Sequence, residues 1–215
     1  MKTDLPKAFK PKRGRPSAEQ VAAIEKAILL SARKMFMSGG YDAVAMERVA
    51  AEVGVAKGTL YARYPAKEAL FQAVVYDCLA EWSAVDKARD HYQSDDITER
   101  LHYHALTIAR SMFNPEVRAF QKLLLTMGER FPEISKAMYD AGYLYIVRLL
   151  VEDIERAGER DAVGVKDADG VARHLVSVIT GWYLQESSCR EVTLSELEDF
   201  AGRAVGLLLA ARLAW

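Results

Sequence analysis

Apolar residues recur along this chain at intervals of three and four, and no segment shows the period-two alternation of a half-buried strand. The pattern predicts an all-α fold of about nine helices. Ile24, Ile28, Met35 and Phe36 mark one face of a first helix over Ser17 to Ser38, with Ser17 as N-cap and Gly39-Gly40 as its stop. Met46, Val49, Ala50 and Val53 give a short second helix that Gly54 ends. After the turn Gly54-Val55-Ala56 a third helix runs from Lys57 to about Tyr64, because proline at 65 disfavours helix in the residue ahead of it. A longer helix starts near Lys67, with Leu70, Phe71, Val74, Cys78, Leu79 and Trp82 on its apolar face. Five more are predicted over Asp95 to Phe113, Pro115 to Arg130, Pro132 to Ala157, Asp167 to Ser187 and Thr193 to Leu213, each bounded by Pro, Gly, Asp, Ser or Thr.

Two short helices joined by a tight turn are the minimal device for laying one helix in a major groove. Met46, Val49, Val53 and Leu60 can pack the pair onto the first helix, which leaves Lys57, Thr59, Tyr61 and Arg63 facing outward. Lys57 and Arg63 suit phosphates, the Tyr61 hydroxyl can donate to a phosphate oxygen, and Thr59 is short enough to approach a base edge. The competing reading is an ordinary solvated helix face. Charge bears on the choice. The net charge of −1 hides an asymmetry: residues 1 to 72 hold 13 Lys or Arg against 7 Asp or Glu, while residues 73 to 215 hold 16 against 23. A basic head on an acidic body is the footprint of a polyanion-binding module. The segment Pro11-Lys12-Arg13-Gly14-Arg15-Pro16 resembles an AT-hook core, in which Arg13 and Arg15 enter a narrow A·T-rich minor groove; the alternative is a basic tail that contacts phosphates only.

The order Gly40-Tyr41-Asp42-Ala43, Val49-Ala50, Gly54-Val55-Ala56-Lys57-Gly58-Thr59-Leu60-Tyr61 and Tyr64-Pro65-Ala66-Lys67-Glu68-Ala69-Leu70 resembles the DNA-binding head of TetR-family regulators over residues 22 to 82. The resemblance implies a basic flexible arm at 1–16, a helix-turn-helix domain at 17–66 and a ligand-binding and dimerisation domain at 67–215. It places DNA contacts on Lys57, Gly58, Thr59, Tyr61 and Arg63, with Tyr64 beside them, and a phosphate-anchoring lysine at Lys67. Arg13 and Arg15 complete the basic set. The family's usual Ser or Thr is replaced by Ala45, Ala56 and Ala66 at three helix starts. Each loses a side-chain cap, which leaves backbone amides at Ala45 and Ala56 as the expected phosphate partners.

The last two helices carry broad apolar faces, and Gly202, Ala204 and Gly206 allow close approach. By the same resemblance they form a four-helix bundle with a second copy, through Val171, Leu175, Val178, Trp182, Phe200, Ala204 and Leu208. A homodimer with twofold symmetry would read a near-palindromic operator of double-stranded DNA. The run from Phe120 to Leu125 and on through Glu129-Arg130-Phe131-Pro132-Glu133-Ile134 resembles the AefR-type subgroup of C-terminal domains. An effector cavity is then expected among Trp82, His104, Ile108, Met112, Phe120, Met127, Met138, Tyr139, Tyr143 and Tyr145, against the plainer reading that these are core. His102 and His104 stand two apart, off a common helix face, so no metal site is expected there.

The chain has 215 residues, 51% of them hydrophobic, enough to build a core without metal or disulfide. Its two cysteines, Cys78 and Cys189, lack partners at ligand spacing and fit a reducing compartment. Neither a signal peptide nor a membrane span is expected, which points to a cytoplasmic protein without a cofactor. No phosphate loop, nucleophile elbow or His-Glu-x-x-His run is present, so the chain does not read as an enzyme. The resemblance implies a repressor released from its operator by a small apolar or aromatic effector. Two alternatives stay open: a helical protein-interaction module, and a DNA-binding regulator, an activator included, with no effector.

Overall fold

The structure is a computed structural model that describes residues 17–89 and 94–215, with the side chains of residues 82–89 and 124 left aside. The described residues are helical and contain no strand. In order they form α1 (Ala18–Gly39), α2 (Met46–Val53), α3 (Lys57–Arg63), α4 (Lys67–Arg89), α5 (Ile97–Phe113), α6 (Pro115–Met127), α7 (Pro132–Met138), α8 (Leu144–Arg160), α9 (Ala168–Cys189) and α10 (Leu194–Ala210). A π-helical turn, Tyr139–Tyr143, joins α7 to α8 without a break, so the described residues form nine continuous rods as the periodicity predicts. The extra residue in that turn displaces carbonyls from the α-helical ladder. Arg148 donates to one carbonyl of the turn, Asp140 O at 3.2 Å, and to Leu144 O at the start of α8 at 3.1 Å. The helix predicted to reach Arg130 stops at Met127, where Arg130 and Phe131 both bond back to the Met127 carbonyl.

The chain divides into two compact units, 1–84 with 119–134, and 85–118 with 135–215. In the first, α1 begins with a reciprocal capping box: the Ser17 hydroxyl accepts from Gln20 N, and Gln20 Oε1 accepts from Ser17 N. Its core is aromatic. Phe36, Tyr41, Phe71 and Phe131 contact one another at ring centroid distances of 5.1 to 5.8 Å, and Ile28, Val49, Leu60 and Leu70 are buried around them. In the second unit α5 packs against α8, α9 and α10, with Leu101, Leu150, Ile154, Ile179 and Leu197 fully enclosed.

That second core holds a charged network. Asp153 is 5% exposed; its carboxylate accepts from Arg100 Nε at 2.7 Å and Nη2 at 2.8 Å, and lies 2.7 Å from His104 Nε2. Burial alone would push the Asp153 carboxyl up, but the bonds from His104 and Arg100 outweigh it and hold the carboxyl below the usual range. An ionised carboxylate can only accept, so the proton between the two lies on His104 Nε2. His104, expected among the cavity residues, is thus a buried histidine held by a hydrogen bond to Asp153.

Candidate nucleic-acid interface

Gly54 ends α2 in the left-handed conformation, φ 77° and ψ 31°, with its N–H and that of Val55 bonded to the Ala50 carbonyl. The chain turns through Val55 and Ala56 directly into α3. Of the seven residues of α3 only Leu60 is buried; Lys57, Gly58 and Tyr61 are exposed and Thr59 and Arg63 half-buried. An amphipathic pattern too short to show as a periodicity therefore sets one anchor inward and the polar set outward. Neither Ala45 nor Ala56 supplies a side-chain cap, although both are extended like ordinary N-caps. Their carbonyls accept the first helical bonds, Arg48 N to Ala45 O at 3.1 Å and Thr59 N to Ala56 O at 2.9 Å.

Two polar groups of α3, and the cations beside them, already have partners within the unit. The Tyr61 hydroxyl donates to Glu47 Oε1 on α2 at 3.1 Å, and Arg63 Nη1 lies 3.3 Å from Glu25 Oε2 on α1. Lys67 Nζ donates to the Asp42 carbonyl at 3.3 Å and sits 4.5 Å over the Tyr41 ring. Arg130 covers the same ring at 4.5 Å and bonds to Glu68 at 3.0 Å and Asp42 at 3.4 Å. Tyr41 donates to Glu68 Oε1 at 2.8 Å; burial, and then this bond, push its hydroxyl up to about 12. The Glu47 carboxyl is held below its ordinary value by its own backbone amide and then by Tyr61, while the bond to Glu47 raises the Tyr61 hydroxyl. Tyr61 is therefore protonated and Glu47 ionised at neutral pH.

Several expectations change here. Tyr64 is only 7% exposed, and burial raises its hydroxyl, so it packs the head rather than standing on the outward face. Tyr61 spends its proton on Glu47, not on an open direction. Glu47, Glu25 and Arg130 escaped sequence reasoning, since each meets its partner across a helix–helix packing that spacing along the chain does not encode. Arg13 and Arg15 lie outside the described residues, and the Trp82 side chain outside the described side chains.

In the second unit the proposed cavity residues part company. His104, Ile108 and Met112 are buried in its core, and Tyr139 stacks on Tyr143 at 5.2 Å with Arg173 donating to the Tyr139 hydroxyl at 3.1 Å. Met138 and Tyr145 are half-buried in the same unit, whereas Phe120 and Met127 belong to the first. Of the expected dimer face, Leu175 is 1% exposed in the single chain and belongs to its own core. Val171, Val178, Trp182, Phe200, Ala204 and Leu208 are half-buried. Trp182 and Phe200 stack at 4.4 Å. Beside them an apolar groove of about 360 Å³ runs between α9 and α10, lined by Val178, Ala204, Leu208 and Trp215 together with Leu207, which is 76% exposed. Among the described residues no group of His, Cys, Asp and Glu could hold a metal ion, and no helix is long and apolar enough to cross a membrane.

A tight helical pair with a polar outer face, set on an aromatic core, defines a helix-turn-helix protein. Residues 28–74 match the bacterial regulatory proteins of the tetR family, and residues 99–211 match the C-terminal domain of AefR-like transcriptional repressors. The chain belongs to the TetR family of DNA-binding bacterial regulators, with an AefR-like C-terminal domain. It is 28% identical over 120 residues to the HTH-type transcriptional repressor ComR of Escherichia coli (strain K12) and spans 55% of that relative, about half its length. Its fold is similar to that of a TetR-family structure from Mesorhizobium loti MAFF303099 (TM-score 0.77, 22% identity, 89% of this chain and 98% of that one). Similar too are the flavonoid-responsive regulator FrrA (0.67, 24%, 90% and 97%) and a regulator from Saccharomonospora viridis in complex with choline (0.71, 18%, 87% and 97%).

Proposed function

We propose that the chain is a homodimeric transcriptional repressor that grips a near-palindromic operator with α3 and leaves it when a small apolar or aromatic effector binds. The observation that carries this reading is the α2–α3 pair, whose left-handed Gly54 turn leads into a helix with Leu60 buried, Lys57 and Tyr61 exposed on one flank of it, and Thr59 and Arg63 half-buried on the other. DNA contacts are assigned to these residues and to Gly58, Lys67, Arg13 and Arg15. Backbone amides at Ala45 and the cations Lys57, Arg63 and Lys67 carry the phosphate grip. The dimer face is the α9–α10 surface with Leu207 and the adjoining groove, where a second copy would cover an apolar area that the single chain leaves open. The protein acts in the cytoplasm.

Effector release is a population shift: a ligand that favours a dimer with its two α3 helices wrongly spaced draws the protein off DNA by its differential affinity. FrrA responds to flavonoids and the S. viridis structure holds choline, which supports a small organic molecule as the signal and leaves its class to experiment. A gel shift with the chain's own upstream DNA at two salt concentrations tests the reading. Specific retardation with a steep salt slope is expected. Absence of any shift would favour a protein-interaction module instead. A small molecule that raises the melting temperature and lowers operator affinity identifies the effector.

A further inference from the structure

We infer that Glu47 and Tyr61 form a base-reading pair that selects the N4 amine of a cytosine in the operator's major groove, an inference that rests on the DNA-binding reading above. Two helices contribute to it. Glu47 stands in the first turn of α2 and Tyr61 near the end of α3, both exposed, and the Tyr61 hydroxyl donates to Glu47 Oε1 at 3.1 Å.

A tyrosine hydroxyl has one proton and two acceptor lone pairs, and an ionised carboxylate has acceptors alone. Once Tyr61 gives its proton to Glu47, every hydrogen-bonding capacity the pair still has is that of an acceptor. Phosphate oxygens are acceptors as well and carry negative charge, so the pair cannot serve as a phosphate clamp. The groove floor offers the complementary groups. Its donors are the N4 amine of cytosine and the N6 amine of adenine. Adenine sets the N7 acceptor beside its amine, which opposes a pair made only of acceptors. The thymine O4 flanks the adenine amine on its other side, whereas the cytosine amine has an acceptor, guanine O6, on one side only and the C5–H edge on the other.

Electrostatics fits the same placement. Lys57 acts on the Glu47 carboxylate from the start of α3, so the negative charge approaches the polyanion beside a cation. A carboxylate on a DNA-facing surface weakens binding to every sequence through phosphate repulsion, and a base contact returns that loss at one base pair only. Such a residue raises discrimination while lowering general affinity.

The test is selection from a randomised duplex library by the full chain, followed by titration of two selected duplexes that differ at one base pair. The wild type should enrich a fixed C·G pair in each half-site. Glu47→Gln should lose the preference at that pair by roughly tenfold or more, while its affinity for duplexes lacking the pair holds or rises. Tyr61→Phe, which keeps the ring, should relax the same position. If Glu47→Gln and Tyr61→Phe change both duplexes by the same factor, the pair is only a brace between α2 and α3 and the inference fails. A wild type that enriches no sequence overturns the DNA-binding reading itself, and this inference with it.

Discussion

In Asp153→Ala the carboxylate that answers Arg100 and His104 is gone, while both donors stay where α5 holds them. Arg100 and His104 have side chains 13% and 1% exposed, so water cannot readily replace the lost acceptor. Arg156, the third side chain on Asp153, is 63% exposed and loses little, since its 3.3 Å contact already competes with solvent. Removing one member of a buried pair costs about 3–5 kcal/mol, because a buried charge loses that partner. The expected loss falls in that range. Urea unfolding followed by circular dichroism measures it, provided that two probes agree, since a chain of two units need not unfold in one step. The double variant Asp153→Leu with Arg100→Met should lose less than the sum of the two single changes, by roughly 0.5–3 kcal/mol. Acid gives a second readout with a fixed sign. The folded Asp153 carboxyl lies below its unfolded value, so its stabilisation is complete at neutral pH and drains as the pH falls below the ordinary carboxylate range. Asp153→Ala should flatten that acid limb. A loss under about 1 kcal/mol, the scale of a single neutral hydrogen bond, would refute the network argument.

Ala56→Ser should stabilise the chain by up to about 1 kcal/mol, since Ala56 is extended at the start of α3 and lacks only the capping oxygen; a lower melting temperature would sink this. Ala162 has a left-handed backbone, φ 53°, just past α8, so Ala162→Gly should relieve roughly 1 kcal/mol of strain, read as a higher urea midpoint. Gly158→Ala should do the reverse: its Cβ would meet Val165 Cγ2 at 2.7 Å and the Val163 carbonyl at 3.0 Å, and a stability unchanged within error would contradict that packing. The Ser31 hydroxyl is buried without a hydrogen-bond partner among the described residues, so Ser31→Ala should be neutral or stabilising by about 1 kcal/mol in thermal melts.

Helices with caps and stops in their own sequence are legible from it. Ser17 with Gln20 fixes the start of α1, Gly54 the end of α2, and Pro65 the end of α3, because each acts through backbone geometry within four residues. The π turn at Tyr139–Tyr143 is not of that kind. It joins two helices with no Pro at the junction, and the group that answers one of its carbonyls, Asp140 O, is Arg148, eight residues further on.

The site divides along the same line. Which residues α3 turns outward follows from Leu60 alone, but what those residues can offer a ligand depends on contacts made 14 and 38 positions away, Tyr61 with Glu47 and Arg63 with Glu25. These contacts change the chemistry of the face. On the DNA-binding reading proposed for α3, Arg63 would exchange a carboxylate for a phosphate, so its contribution to affinity would be the difference between two ion pairs rather than the gain of one. Tyr61 arrives as an acceptor rather than a donor. On that reading the polar list read from sequence overstates the phosphate grip of α3 and understates its capacity to discriminate, and the two contacts shift weight for general affinity onto Lys57, which is exposed and stands at the first turn of the helix.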